Sequence, residues 1–222
     1  MSTVRLILGD CLDVLPTLVG VNCVLTDPPY GVSAQHDDGK MGGWSNDTKR
    51  WAKQINPVYE KFDGDDAPVD PAPLLRVGKR HIIWGGNFIA DKLPSERGWL
   101  VWYKRINRQT NDQGDCELAW TDLGCVSRVF HHLWMGMLRD SEQGEHWHPT
   151  QKPVALMSWC VEMCSNPGDT ILDPYMGAGS VGIACANLGR NFIGVEKNPH
   201  YFAIAQRRIS QAQAQLRLPL DL

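Results

Sequence analysis

Short apolar runs recur along the chain, most of them stopped by glycine, proline or aspartate. Val4 to Leu8 ends at Gly9-Asp10, and Asn22 to Thr26 (NCVLT) stops at Asp27-Pro28-Pro29. His81 to Trp84 is broken by Gly85-Gly86, while Trp99 to Tyr103 (WLVWY) and Glu117 to Thr121 (ELAWT) carry aromatics that favour strand. Thr170 to Leu172, and Asn191 to Val195 ending at Glu196, complete the set. Such runs with such punctuation predict buried strands. Helical spacing fills the gaps. Cys11 to Leu18 is limited to a turn or two by Pro16. Pro73 to Val77 predicts a helix, as does Pro153 to about Cys164, with the proline in its first turn. Ser180 to Leu188 is a small-residue helix stopped by Gly189, and Asn198 opens a last helix from His200 to about Gln215. Alternating strands and helices predict an α/β fold: an open, doubly wound, largely parallel sheet with helices on both faces. Residues 32–70 are polar and dotted with glycine and proline, which predicts a mobile loop with at most a short helix around Thr48 to Ile55. Residues 122–147 lack a clear period, and no internal repeat is present.

Composition narrows the class. A chain of 222 residues suits one sizeable domain, here 1–222, burying roughly 70% of its unfolded surface. Its seven cysteines form no CxxC pair, which favours buried reduced thiols over a metal site. Cys160 and Cys164 share a helical face, but two thiols alone do not close a tetrahedral zinc site. No apolar run approaches the ~20 residues of a membrane span, and the first residues lack a signal-peptide core. These features predict a cytoplasmic protein. The net charge of −3 gives no general argument for nucleic acid. Its distribution does: Glu60, Asp63, Asp65, Asp66 and Asp70 crowd one stretch, and Arg97, Lys104, Arg105 and Arg108 another. A basic face and a merely solvated surface account for that pattern equally well.

Two motifs carry the chemistry. In ILDPYMGAGS (Ile171 to Ser180) and just beyond it, Gly177, Gly179 and Gly182 satisfy GxGxxG, and Glu196 lies where a ribose-binding acid is expected. That pattern fits a dinucleotide as well as S-adenosylmethionine, and Asp173 discriminates between them. At the mouth of the site a carboxylate repels a pyrophosphate and attracts the ammonium and sulfonium of S-adenosylmethionine. Asp10, closing the first strand, is an acceptor for the cofactor's adenine amino group or the structural half of a Gly-Asp turn.

TDPPYG (Thr26 to Gly31) is a rigid elbow without backbone donors at its prolines. An exocyclic amine is a poor nucleophile because its lone pair is delocalised into the ring. Two acceptors aimed at its N–H bonds favour the tetrahedral geometry of transfer, and Asp27 offers a carboxylate while Pro28 offers a carbonyl. Tyr30 supplies a face on which a base can stack. Alignment of this kind is worth ~7–11 kcal/mol.

At these residues the chain resembles the amino-group DNA methyltransferases, in the order that places DPPY before the cofactor glycines. GDCLDVLP (Gly9 to Pro16), HIIWGGN (His81 to Asn87), WLVWYKR, ELAWT and HPTQKP (His148 to Pro153) extend the resemblance over most of the chain. It implies a circularly permuted, Rossmann-like fold around a seven-stranded sheet. Asp27, Pro28, Pro29 and Tyr30 are its implied catalytic set. Asp10, Cys11, Asp173, Tyr175, Gly177, Gly179, Ser180, Glu196 and Lys197 are its implied cofactor contacts, with Thr150 and Lys152 on the methionine carboxylate. Tyr175 stands where phenylalanine is common, and Ser180 where threonine is frequent. DPPY is typical of adenine-N6 enzymes, the cytosine-N4 members carrying serine at the position of Asp27. The resemblance implies site-specific methylation of a flipped-out adenine in duplex DNA. Cytosine-N4, RNA or protein amide methylation stand as alternatives, and a nicotinamide-dependent oxidoreductase as a remote one. The short insert 122–147 and the 32–70 loop are left to read DNA, with Lys49, Arg50, Lys104, Arg105 and Arg108 on the backbone. Trp44 and Trp134 are stackers, wedges or packing residues. Small size and family habit point to a homodimer, and the family's members act with or without a cognate restriction endonuclease in a bacterial or phage setting.

Overall fold

The computed structural model describes residues 2–31, 67–105, 114–135, 138–143, 147–148 and 150–215. The first strand, β1 (Val4–Leu8), leads through α1 (Cys11–Val14) and a short 3-10 turn to β2 (Cys23–Thr26). After α2 (Ala72–Leu75) come β3 (Arg80–Trp84), a 3-10 segment over Gly86–Lys92, β4 (Trp99–Tyr103) and β5 (Cys116–Thr121). Then follow β6 (Arg128–His131), β7 (Trp134–Met135) and β8 (Leu138–Arg139). The chain closes with α3 (Val154–Cys164), β9 (Thr170–Asp173), α4 (Ser180–Leu188), β10 (Asn191–Glu196) and α5 (Pro199–Gln215). No helix among the described residues is long and apolar enough to cross a membrane. The polar loop and its short helix at 48–55 lie outside the described residues, except for its last four positions, 67–70.

The large sheet has the order β1-β10-β9-β2-β3-β5-β4-β6. Among its described strands only β5 runs against the others, pairing antiparallel with both β3 and β4. Among the described residues eight strands stand where seven are implied by the resemblance, because β6 adds to the outer edge of β4 in parallel. That strand, like the small β7–β8 hairpin, falls in the stretch without a period. The reason is physical: β6 is an edge strand with three of four residues exposed, so no buried face imposes alternation on its sequence.

Alternation along the inner strands divides the core into two layers. Cys23, Leu25, Ile82, Trp84 and Ile171 face α3, α4 and α5, whose Leu156, Val161, Ala184 and Ile209 are buried against them. Val24, Ile83, Leu172 and Val195 face the other way, onto Leu15, Leu74 and Ile89. Both layers are closed, as a doubly wound sheet requires. Helix α3 begins one residue later than its sequence predicts: Pro153 is the extended cap (φ −61°, ψ 140°), and the first helical residue is Val154. Asn198 opens α5 as expected, its side-chain oxygen accepting from the His200 and Tyr201 amides.

Candidate active site

The connection from β9 to β10 crosses one face of the sheet through α4, and that from β2 to β3 crosses the other through α2. Adjacent β9 and β2 are therefore a topological switch point, and the crevice beyond their carboxyl ends is where such sheets bind ligands. A cavity of about 870 Å³ opens there, within the range of ligand pockets. All the implied site residues line it except Gly179, which shapes the turn from behind. The proline elbow and the glycine turn thus share one chamber, joined by a hydrogen bond from Thr26 Oγ1 to Asp173 Oδ1 at 2.8 Å.

The glycine turn is pinned from three directions. Gly177 N–H donates to Glu196 Oε2 at 3.0 Å and Gly179 N–H to the Met176 carbonyl at 2.8 Å. The Ala178 carbonyl accepts from Arg208 at 2.6 Å. Gly177 (φ 49°) and Gly179 (φ 83°) adopt the left-handed conformation that only glycine enters without strain. Asp173 is buried and also accepts from the Tyr175 amide at 3.1 Å. Burial pushes its carboxyl up to about 7; the Thr26 and Tyr175 bonds pull it down, and the Asp27 and Glu196 charges add to the rise. Glu196 is likewise raised by burial, against hydrogen bonds from the Asn198 and Gly177 amides. Two buried carboxyls with raised pKa values in a chamber of this size fit a cationic ligand, which would favour their ionised forms. The fit to S-adenosylmethionine is therefore good. Asp10 caps α1 by accepting from the Leu12 amide at 2.9 Å, so its structural role is realised while it still lines the cavity. The Cys11 thiol lies against the Tyr175 hydroxyl, and both are raised by burial. Thr150 faces His148 Nδ1 at 3.1 Å, and His148 packs edge-on to Tyr201 at 4.3 Å.

On the elbow side, Asp27 is bonded to the Lys152 ammonium. The resemblance puts Lys152 on the cofactor's carboxylate; its ammonium lines the shared cavity beside the elbow, 3.1 Å from Glu117 and 3.4 Å from the Tyr30 hydroxyl. The reason is electrostatic. Burial disfavours the ammonium, but Asp27 and Glu117 outweigh it and hold the lysine above its usual range. The Pro29 carbonyl takes the Val69 amide at 3.2 Å, while the Pro28 carbonyl has no hydrogen bond among the described residues. Tyr30 stacks on Phe88, centroids 5.1 Å apart at 22°. Its ring edge approaches Gly85 (φ 68°) so closely that an added Cβ would stand 1.9 Å from Cε1. Gly85→Ala is expected to cost roughly 1–3 kcal/mol of stability, read as a lower Tm. An unchanged Tm would contradict this close approach.

Several organising residues are invisible in the motifs. Glu142 (φ 50°) accepts from Gln151 at 3.0 Å, from the first amide of α3 at 2.8 Å and from Arg208 at 2.9 Å. It so ties the segment after β8 to HPTQKP and, through buried Arg208, to the cofactor turn. Of the expected basic surface, Lys104 pairs with Glu117 and Arg105 with Asp115, each at 2.6 Å. Neither is a simple solvent-facing cation, and Arg105 is buried. Trp134 packs against the core with Arg139 over its ring at 4.2 Å. Trp44, Lys49, Arg50 and Arg108 lie outside the described residues.

Comparison with known proteins fits this geometry. A family model described as DNA methylase, of the N6/N4 methyltransferases, matches residues 96–207. The type II methyltransferase M.HpaI of Haemophilus parainfluenzae is 42% identical over 238 residues, covering 92% of this chain and 74% of its own length. The crystal structure of an M1.HpyAVI–SAM complex is 24% identical, with a TM-score of 0.55, over 93% of this chain and 100% of that one. The cytosine-N4-specific PvuII DNA methyltransferase shares the fold at 15% identity and a TM-score of 0.58, over 97% and 93% of the two chains. The chain therefore belongs to the N6/N4 DNA methylase family.

Proposed function

We propose that the chain transfers a methyl group from S-adenosylmethionine to the N6 amino group of adenine in duplex DNA, directly and in line. The observation that carries this reading is that Asp27 and the acids of the cofactor turn, Asp173 and Glu196, line a single cavity. Bound there, S-adenosylmethionine supplies an electrophilic methyl on a cationic sulfur. Asp173 and the glycine turn would hold its charged methionine part, Glu196 its ribose hydroxyls, and Asp10, Cys11 and Lys197 the remaining rim. Asp27 and the Pro28 carbonyl accept the two N–H bonds of the target amine and draw its nitrogen toward a tetrahedral shape. Tyr30 supports the ring of the extruded base, whose removal from the stack costs a few kcal/mol. After transfer the amine carries an extra proton, which passes to the Asp27 carboxylate. The carboxylate at position 27 supports adenine over cytosine.

The same proposal treats 1–222 as one methyltransferase domain in which the 32–70 loop and residues 122–147 contact DNA. It takes the protein to be cytoplasmic and to act as a homodimer, with or without a cognate restriction endonuclease. Labelled-methyl transfer to duplex DNA, RNA and protein tests the central reaction. Label is expected in DNA alone, and label confined to RNA or protein would overturn the proposal.

A further inference from the structure

Lys152 is shared between two carboxylates. Its buried ammonium bonds Asp27 Oδ2 and stands 3.1 Å from Glu117 Oε2, while the other oxygen of Glu117 takes Lys104 at 2.6 Å. Charge therefore alternates along a row from Lys104 through Glu117 and Lys152 to Asp27. Glu117 enters this row from β5, opposite Trp102 of β4. Burial opposes its charge, yet Lys152 and Lys104 hold it down at about 2, so it stays a carboxylate throughout the working range.

An ammonium is a stronger partner for a carboxylate than a neutral aromatic amine is. With Asp27 as its sole anionic partner, Lys152 would compete with the target amine for the acceptor that transfer requires. A second carboxylate within reach divides that attraction. We propose that Glu117 is a positioning residue for methyl transfer: by sharing Lys152 it gives the ammonium a second carboxylate to stay with when the arriving amine displaces it from Asp27. Glu117 is not among the residues that line the cavity, so it acts through Lys152. The inference rests on the proposed DNA methylation.

The test measures single-turnover methyl transfer to bulk unmethylated DNA, together with S-adenosylmethionine Kd, for wild type and four variants. Glu117→Gln is expected to lower kcat/KM for DNA by roughly 10-fold or more, with Kd within about two-fold of wild type. Glu117→Asp keeps the charge and is expected within about three-fold of wild type. In a Lys152→Met background, Glu117→Gln is expected to change the rate by less than about two-fold, since the intermediary is gone. Equal losses from Glu117→Gln and Glu117→Asp would overturn the inference. So would the same loss from Glu117→Gln with and without Lys152, or a weakened Kd. A wild-type protein that methylates no DNA would instead remove the reading of function on which the inference stands.

Discussion

Replacing Asp27 by alanine is expected to lower methyl transfer by roughly 10²–10³-fold or more, with S-adenosylmethionine affinity within about two-fold of wild type. Asp27 follows β2 rather than standing in the glycine turn, and the proposed mechanism places the target amine against its carboxylate. Removing it deletes an acceptor needed as the nitrogen changes shape and leaves the Gly177–Glu196 and Thr26–Asp173 bonds in place. Lys152 loses one partner but keeps Glu117 at 3.1 Å, so its charge is not abandoned in the interior. Single-turnover kinetics beside calorimetry of cofactor binding separate the two quantities. Retention of more than a few per cent of the wild-type rate would count heavily against the role of Asp27.

The second large effect belongs to Asp173. Asparagine at this position keeps the acceptor for Thr26 Oγ1 and the Tyr175 amide but removes the charge. Asp173→Asn is expected to weaken S-adenosylmethionine binding by roughly 10–100-fold, the value of a charge-assisted contact of about 1.5–3 kcal/mol. A pH dependence accompanies it. In the free protein the carboxyl titrates near 7, whereas a bound cation favours the carboxylate, so binding releases a proton below that pH. Cofactor affinity should therefore rise as pH increases toward about 7 and level off above it, and this slope should flatten in Asp173→Asn. For stability the sign is the reverse. The folded carboxyl at about 7 lies above the ordinary 3.8, so the folded state retains a proton that the unfolded state loses, and stability declines with rising pH across that window. An affinity that is unchanged by Asp173→Asn would undo the assignment of the carboxylate to the cofactor.

The inner strands were legible because burial on both faces leaves a continuous apolar run, as in NCVLT and HIIW. The elbow and the glycine turn were legible because rigid or left-handed backbone needs proline or glycine at fixed places. What sequence did not reveal lies where those constraints lapse. The edge strand β6 has no buried face to impose a period. Lys152 reads as a cofactor contact from its neighbours in HPTQKP, but its ion pairs with Asp27, just after β2, and Glu117, in β5, are set by tertiary geometry alone. Glu117 left a weak signal, a charge heading an otherwise apolar strand. Arg208 left none, being one more cation on an amphipathic helix until its guanidinium is seen to cap the Ala178 carbonyl.

The most direct measurement of the central claim is the identity of the methylated nucleoside. Duplex DNA lacking amino-methylated bases would be treated with wild-type protein and S-adenosylmethionine, digested, and resolved by mass spectrometry beside an Asp27→Asn control. N6-methyladenine that appears with wild type and falls at least roughly 100-fold in the control is the expected result. N4-methylcytosine in its place, or N6-methyladenine formed equally well without the carboxylate, would contradict the account.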